Sequence, residues 1–361
     1  MKVKKKAFTC KAFLLCMNFS FVIGMSQLHN TLLGNYAELL LLLCGIFFFF
    51  FHFIPSASFQ WKSIIGIVAL ICVGIIAMRV SGGPTLLKLV LFFAMTQDVK
   101  IDDVMTGFIW SLIIPFVCIA LLSVFGVIGL RYTGEKNALE FGMQNPNTVP
   151  VIIFAIIVAF NLRNQEMLNR KILFIESVIC IFMYYLSGAR TAGIVLLLYI
   201  VALILSKNVN RINRILWWLQ YLFLVFGLVS IAVAILFRNR TEIWIQFNNL
   251  LSGRPLAWDL YLTKYGIKFW GQRIDLNRGA LDNAYLRLLI QYGILTFSVY
   301  MVLFVQLSRY SYKKDNIILL LSVIASELYC MAEFGPILIN FCPVLMYEAC
   351  LLINYSKRRV T

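Results

Sequence analysis

Long apolar runs separated by short polar stretches occupy most of the chain, and they occur twelve times. They lie at about 12–28, 36–54, 63–79, 84–96, 104–130, 148–162, 172–187, 192–206, 215–237, 283–308, 316–333 and 336–354. A helix needs about 20 apolar residues to cross a bilayer. The pattern therefore predicts an all-α polytopic integral membrane protein with about 12 transmembrane helices, forming one transmembrane domain over residues 1–361.

The composition supports this interpretation. Of the 361 residues, 61% are apolar and 13% are charged, whereas soluble domains are about 45–50% apolar and about 25% charged. A water-soluble protein is excluded, and little chain is left for a separate soluble domain.

Basic residues fix the predicted orientation, because cytoplasmic loops of membrane proteins carry an excess of Lys and Arg. The cytoplasmic set comprises the N-terminal lysines and four later clusters: Arg163, Arg170 and Lys171; Lys207, Arg211 and Arg214; Arg309, Lys313 and Lys314; Lys357, Arg358 and Arg359. This arrangement requires every run to cross, including the weak run at 84–96. Both termini are then cytoplasmic, and we expect a multi-pass protein of the cytoplasmic membrane.

The outer side differs from the inner side in its cations. It carries nine arginines and four lysines, against twelve lysines and seven arginines inside. Because the planar guanidinium fork binds phosphate bidentately, the outer arginines indicate an anionic ligand at the membrane, with ordinary lipid headgroup contact as the alternative. The net charge of +16 thus indicates membrane lipid, and we expect no nucleic-acid partner.

The longest loop, residues 238–282, lies on the outer side and is too apolar and aromatic to be disordered. We expect an ordered extracellular cap with short surface helices. One helix begins near Arg254 and Pro255 and ends at Gly266, with Leu256, Leu260 and Tyr261 on one side. Trp258 is either a membrane-interface anchor or part of a ligand platform.

Polar residues stand at four points where a span meets the outer surface. Arg190 follows the turn Ser187–Gly188, and Arg254 begins the surface helix. Asp282 and Asn283 precede the tenth span, and Asn145–Pro146–Asn147 precedes the sixth, where capping and turn chemistry are sufficient structural explanations. With only two histidines and no outer acidic cluster, we expect no metal or other cofactor.

These features form a series of motifs. They are GMQNPN at 142–147, LSGART at 186–191, LSGR at 251–254 with Trp258, FWG at 269–271, and DNAYL at 282–286 followed by Gly293. In order and spacing the series resembles the O-antigen polymerase (Wzy-type) and O-antigen ligase superfamily.

The resemblance implies a GT-C-like glycosyltransferase that works at the outer membrane face without a metal. A polymerase of this type transfers a growing glycan from undecaprenyl diphosphate onto a lipid-linked repeat unit, in capsule or exopolysaccharide synthesis. Arg190 and Arg254 then contact the diphosphate. Many ligases have a histidine where this chain has Asp282, so Asp282 is either the general base or a helix cap, with Glu327 and Glu333 as competing bases.

The resemblance also implies the surroundings of the substrate. The further substrate-binding residues are Asn145, Asn147, Trp258, Asn283, Tyr285 and Arg287. The partners are undecaprenyl-diphosphate-linked oligosaccharides and membrane lipid, with a flippase and a chain-length regulator as candidate protein partners.

Three alternatives stay open at this point. A ligase shares the arginines and differs in its acceptor. A lipid-linked oligosaccharide flippase or other transporter predicts charges along a path through the membrane, whereas here they gather at the outer surface. A non-enzymatic scaffold for capsule assembly leaves the outer arginines dispensable.

Overall fold

The computed structural model describes residues 2–53, 61–129, 132–133, 138–188, 190–206, 214–276 and 281–358. The fold is helical, and a single pair of two-residue antiparallel strands, β1 (Tyr132–Thr133) and β2 (Ala138–Leu139), is the only sheet among these residues. Of the predicted basic clusters, Lys207, Arg211 and Arg359 lie outside the described residues, as does the segment 277–280 of the outer loop.

Each of the twelve apolar runs contains a helix, the tenth run contains two, and two further helices lie in the long loop. The helices are α1 (Lys2–Gly24), α2 (Leu32–Phe53), α3 (Trp61–Ser81), α4 (Thr85–Met95), α5 (Ile101–Val124), α6 (Thr148–Arg163), α7 (Arg170–Ser187), α8 (Arg190–Ser206), α9 (Leu222–Phe237), α10 (Glu242–Leu250), α11 (Arg254–Tyr265), α12 (Ala284–Arg287), α13 (Gly293–Lys313), α14 (Ile317–Cys330) and α15 (Pro343–Arg358). A π-helical turn, Leu288–Tyr292, joins α12 to α13.

Five helical segments in the described part of the chain are long and apolar enough to cross a membrane. They are Lys4–Gly24, Leu32–His52, Ile101–Val124, Trp217–Phe237 and Ala284–Lys313. Other apolar helices, such as α4, α6, α8 and α14, are shorter than 18 residues. The prediction of a helical membrane protein is therefore confirmed at this coarser level.

The helices divide into two compact units. The first comprises Met1–Ile64, Leu91–Asn208 and Ile339–Thr361, and the second comprises Ile65–Val90 and Val209–Leu338. The prediction of one transmembrane domain is not tested by this division.

In the first unit, polar contacts fasten α1 to α5 and to the turn before α5. Lys6 Nζ pairs with Asp98 Oδ2 at 2.8 Å, and Lys11 Nζ pairs with Asp103 Oδ1 at 2.6 Å. Deeper along α1, Asn18 Nδ2 donates to Ser111 Oγ, and Asn18 Oδ1 accepts from Asn340 Nδ2, both at 2.7 Å. Hydrogen bonds between buried polar side chains hold helices together where apolar packing alone is weak.

In the second unit, the described part of the long loop, residues 238–282, packs back onto the helices. Trp258 and Tyr261 of α11 are buried with Ala234 of α9, Leu281, and Leu286 and Ile290 of the α12–α13 junction. Burying an aromatic side chain stabilises a fold by about 1.5–3 kcal/mol. The loop is thus an ordered part of the second unit over its described residues, while its position on the outer side stays a prediction.

Helix α11 confirms one sequence prediction and corrects two others. It begins at Arg254, has Pro255 in its first turn, and ends at Gly266, whose φ of 65° suits a residue without a side chain. Leu260, however, is exposed and does not share the packed side with Tyr261. Trp258 is only 4% exposed, so it packs inside the unit and is not an interface anchor.

Candidate functional site

The first component of the site is the arginine that begins α11. Ser252 and Gly253 both have positive φ, 56° and 81°, and this sharp turn separates α10 from α11. Arg254 Nη2 then donates to Glu333 Oε1 at 3.3 Å. The Arg254 side chain is 24% exposed and that of Glu333 is 12% exposed, so the pair is partly shielded and still open to a ligand from one side.

The second component is the start of α12. Asn283 is the N-cap, and its Oδ1 accepts from the Leu286 amide at 2.9 Å. Its Nδ2 donates to Ser230 Oγ at 2.9 Å and to the Met331 carbonyl at 3.0 Å. These bonds tie α12 to α9 and to the segment after α14. Because Asn283 is the cap, Asp282 is left out of the helix and its carboxylate is available for another role.

The third component is Arg287, whose guanidinium contacts the side chains of Gln291 and Phe334. Its Nε donates to Gln291 Oε1 at 2.9 Å. Its Cζ lies 4.1 Å from the ring centre of Phe334, a cation–π contact. The Phe334 ring in turn stacks on Tyr292, with ring centroids 5.8 Å apart and planes 5° apart. The guanidinium is therefore fixed in orientation before any ligand binds.

The charges of these residues act on one another. Burial raises the pKa of Asp282, while the positive charges of Arg254 and Arg287 lower it. Glu333 lies just beyond the end of α14, and burial together with the negative charge of Asp282 raises its pKa to about 8, against the opposing effect of Arg254. At neutral pH Glu333 is mostly protonated, so it accepts the hydrogen bond of Arg254 without neutralising its charge.

Three predicted substrate-binding residues of this unit lie in its packing: Trp258, Tyr285 and the cap residue Asn283. Tyr285 is fully buried, and its hydroxyl donates to the Glu327 carbonyl at 2.8 Å. Trp258 Nε1 is also buried and has no hydrogen-bond partner among the described residues. Tyr285 thus supports the helices behind the site and presents no open surface to a ligand. Glu327 is likewise fully buried on α14.

The other predicted residues, Arg190, Asn145 and Asn147, belong to the first unit. Arg190 is the first residue of α8 and is exposed, after a turn in which Gly188 has a φ of 64°. Asn145 Oδ1 accepts from the Asn147 amide at 2.8 Å, which is the turn chemistry expected of Asx residues before a helix.

The first unit also contains a small cleft. Its lining comes from the start of α6, the second half of α7 and the start of α8: Pro150, Ile153, Cys180, Met183, Tyr184, Ser187, Ala192, Gly193 and Leu196. Arg190 begins the helix that provides the last three of these residues.

Sequence reasoning missed Gln291 and Phe334 and ranked Glu333 behind Asp282. Gln291 stands four residues after Arg287, a spacing at which helical side chains meet, so it could have been found. Phe334 and Glu333 approach through the chain reversal after α14, for which no local pattern gives a signal.

No family model, curated protein or solved structure matches this chain. Two guanidinium groups and two carboxyl groups that influence one another electrostatically can bind an anion and accept a proton.

Proposed function

We propose that this chain is a polysaccharide polymerase of the membrane, which transfers a growing glycan from undecaprenyl diphosphate onto a lipid-linked repeat unit. The observation that supports the proposal most directly is the cluster of Arg254, Asp282, Arg287 and Glu333 in the second unit. It combines groups for a leaving diphosphate with a group for the acceptor proton.

In the proposed reaction the acceptor hydroxyl attacks the anomeric carbon of the donor sugar. Asp282 takes the hydroxyl proton as the new glycosidic bond forms. The bond between the anomeric carbon and the diphosphate oxygen breaks, and the leaving diphosphate carries away the electron pair. Arg254 and Arg287 stabilise the negative charge that develops on that oxygen.

We also propose the membrane topology that the sequence predicts. The twelve helices of the apolar runs cross the membrane in a GT-C-like arrangement, with both termini in the cytoplasm and the cluster at the outer face. Arg190 contributes a further diphosphate contact. These assignments rest on the positive-inside pattern and on the resemblance of the motifs.

The test is Arg254→Lys, which keeps the charge but loses the planar fork. We expect long polymer to disappear while single lipid-linked repeat units accumulate at the outer leaflet, measured by gel analysis of surface glycan and of extracted lipid-linked material. The matched control is Arg238→Lys in the same unit, since Arg238 serves structure by pairing with Asp259 at 3.1 Å.

Other outcomes would refute the proposal. Normal polymer in Arg254→Lys, with normal protein level, contradicts the role of the cluster. Single units retained in the inner leaflet indicate a transporter. Full-length polymer that stays on its lipid carrier indicates a ligase.

A further inference from the structure

Two aromatic side chains protrude from the outer loop after α11. Phe269 is 55% exposed and Trp270 is 38% exposed. Their rings meet edge to face, with centroids 5.5 Å apart and planes at 87°. Exposed Lys268 precedes the pair directly in the sequence and exposed Arg273 follows it by three residues, so the segment carries two hydrogen-bond donors as well as two rings.

The backbone beneath these rings is held in place by the start of α13. The Gln272 amide donates to the Gln291 carbonyl at 2.8 Å, and the amides of Ile294 and Leu295 donate to the carbonyls of Lys268 and Phe269, each at 3.1 Å. The Gln272 side chain adds bonds to the carbonyls of Tyr265 and Gly266 at 2.9 and 3.2 Å. The segment is therefore fastened along its whole length.

Two glycines make this close approach possible. A side chain at Gly271 would collide with the carbonyl of Gln291, and one at Gly293 would collide with the backbone of Phe269 and Gly271. Both glycines have positive φ, 79° and 86°, which disfavours any other residue. The fixed pair of rings thus depends on a special backbone arrangement.

Gln291 connects this segment to Arg287 of the charged cluster. Gln291 accepts the Gln272 amide through its carbonyl and binds Arg287 through its side chain. One residue therefore joins the aromatic pair to the guanidinium that faces the site.

We propose that Phe269 and Trp270 form a binding platform for a sugar ring of the acceptor glycan. This inference rests on the proposed function and adds to it a subsite for saccharide. The apolar C–H face of a pyranose can pack on an aromatic ring, while its hydroxyls accept hydrogen bonds from donors of the same segment such as Lys268 and Arg273. A membrane-interface anchor needs an aromatic side chain but no fastened backbone, so the glycine-dependent ladder favours saccharide over lipid.

The test measures binding without turnover. The full chain in lipid nanodiscs is titrated calorimetrically with oligosaccharides released by partial acid hydrolysis from the surface polysaccharide of the producing cell. Trp270→Ala is expected to weaken binding about tenfold, and Trp270→Tyr about threefold or less, because one aromatic contact contributes on the order of one such factor. Trp244→Ala, on α10 of the same loop, is the matched control and keeps the wild-type affinity.

Several results would overturn the platform. They are absence of binding to the wild-type chain, equal affinity of Trp270→Ala and wild type, or an equal loss in Trp244→Ala. Quenching of Trp270 fluorescence by brominated lipid, unchanged by saccharide, would assign the rings to the membrane interface. The platform and the polymerase fail separately, since Arg254→Lys tests polymer formation whatever the titration shows.

Discussion

Arg254 and Arg190 each begin a helix, yet their surroundings differ. Arg254 begins α11 and bonds to Glu333, within the electrostatic influence of Asp282. Arg190 begins α8 after a glycine turn and is exposed, and no acidic side chain of the described residues forms an ion pair with it. A cation at a helix N-terminus is unfavourable by about 0.3–1 kcal/mol because of the helix dipole.

The two arginines therefore present a guanidinium to an anion in different ways. Arg254 is oriented before a ligand binds by its hydrogen bond to Glu333, whose charge depends on pH. Arg190 forms no ion pair with the residues that the structure describes, and its favourable partner in the proposed reaction is the diphosphate itself. Variants that act on one arginine and spare the other test this distinction.

The largest effect is expected for Asp282→Asn, on the Arg254 side. Loss of the general base should lower transfer by about 10²–10⁴-fold, while protein level and donor binding are kept, because the cap of α12 is Asn283. Turnover of labelled lipid-linked units in purified enzyme measures it, with Asp275→Asn in the same loop as control. Unchanged turnover would show that Asp282 is not the general base.

The next effect is expected for Arg190→Lys. Losing bidentate, charge-assisted bonds to phosphate costs about 1.5–3 kcal/mol, which corresponds to about 10- to 100-fold weaker donor binding. Polymer should be lost, single lipid-linked units should accumulate, and the amount of protein should not change, since the side chain is exposed. Arg163→Lys, an exposed arginine at the end of α6, serves as control. Wild-type polymer length would show that the arginine of the first unit is dispensable.

The N-cap residues of α12 and α7, Asn283 and Asn169, should differ in their contribution to stability. Asn283→Ala leaves buried groups of Ser230 and Met331 without a donor and should lower the free energy of unfolding by about 2–3 kcal/mol. Asn169→Ala removes the exposed cap of α7, where Oδ1 accepts two amides at 3.0 Å, and should cost about 1 kcal/mol. Thermal unfolding in detergent compares the two, and a larger loss in Asn169→Ala would reverse the expectation.

The smallest effect is a pH dependence confined to Arg254. Below pH 8 Glu333 is neutral and Arg254 carries its full charge, whereas above pH 8 the carboxylate competes with an anionic ligand. Affinity for inorganic pyrophosphate should therefore fall about fivefold from pH 6.5 to pH 9, as a partly screened ion pair of about 1 kcal/mol implies.

Glu333→Gln is the matched variant for this pH dependence, because it keeps the hydrogen-bonding shape and cannot ionise. Its affinity should lack the fall caused by Glu333, so that the difference between wild type and Glu333→Gln, which cancels the ionisation of pyrophosphate itself, appears only at high pH. A fall of equal size in Glu333→Gln would assign the titration to another group.

Much of the helical arrangement was predictable, because helix formation by an apolar run depends on local sequence. All twelve runs contain helices, and the start and stop of α11 follow from Pro255 and Gly266. The cap at Asn283 was also foreseen as part of the Asp282–Asn283 pair. The burial of Trp258 was not, since an aromatic residue in an outer loop has the same local pattern whether it faces lipid or the protein interior.

The site was predictable only in part. Arg254, Asp282 and Arg287 stood out as charges where spans meet the outer surface. The partner of Arg254 could not be identified, because Glu333 is 79 residues away in the chain and its position depends on how α14 packs and reverses.

The sequence by itself determined that the chain is helical and apolar enough for a membrane, where its helices lie, and which charged residues stand at their ends. These properties follow from composition and from interactions within a few residues. Only the tertiary structure decided that Glu333 holds Arg254, that Phe334 holds Arg287, and that Gly271 meets Gly293. Such contacts join segments distant in the chain, and their geometry is set by the packing of whole helices.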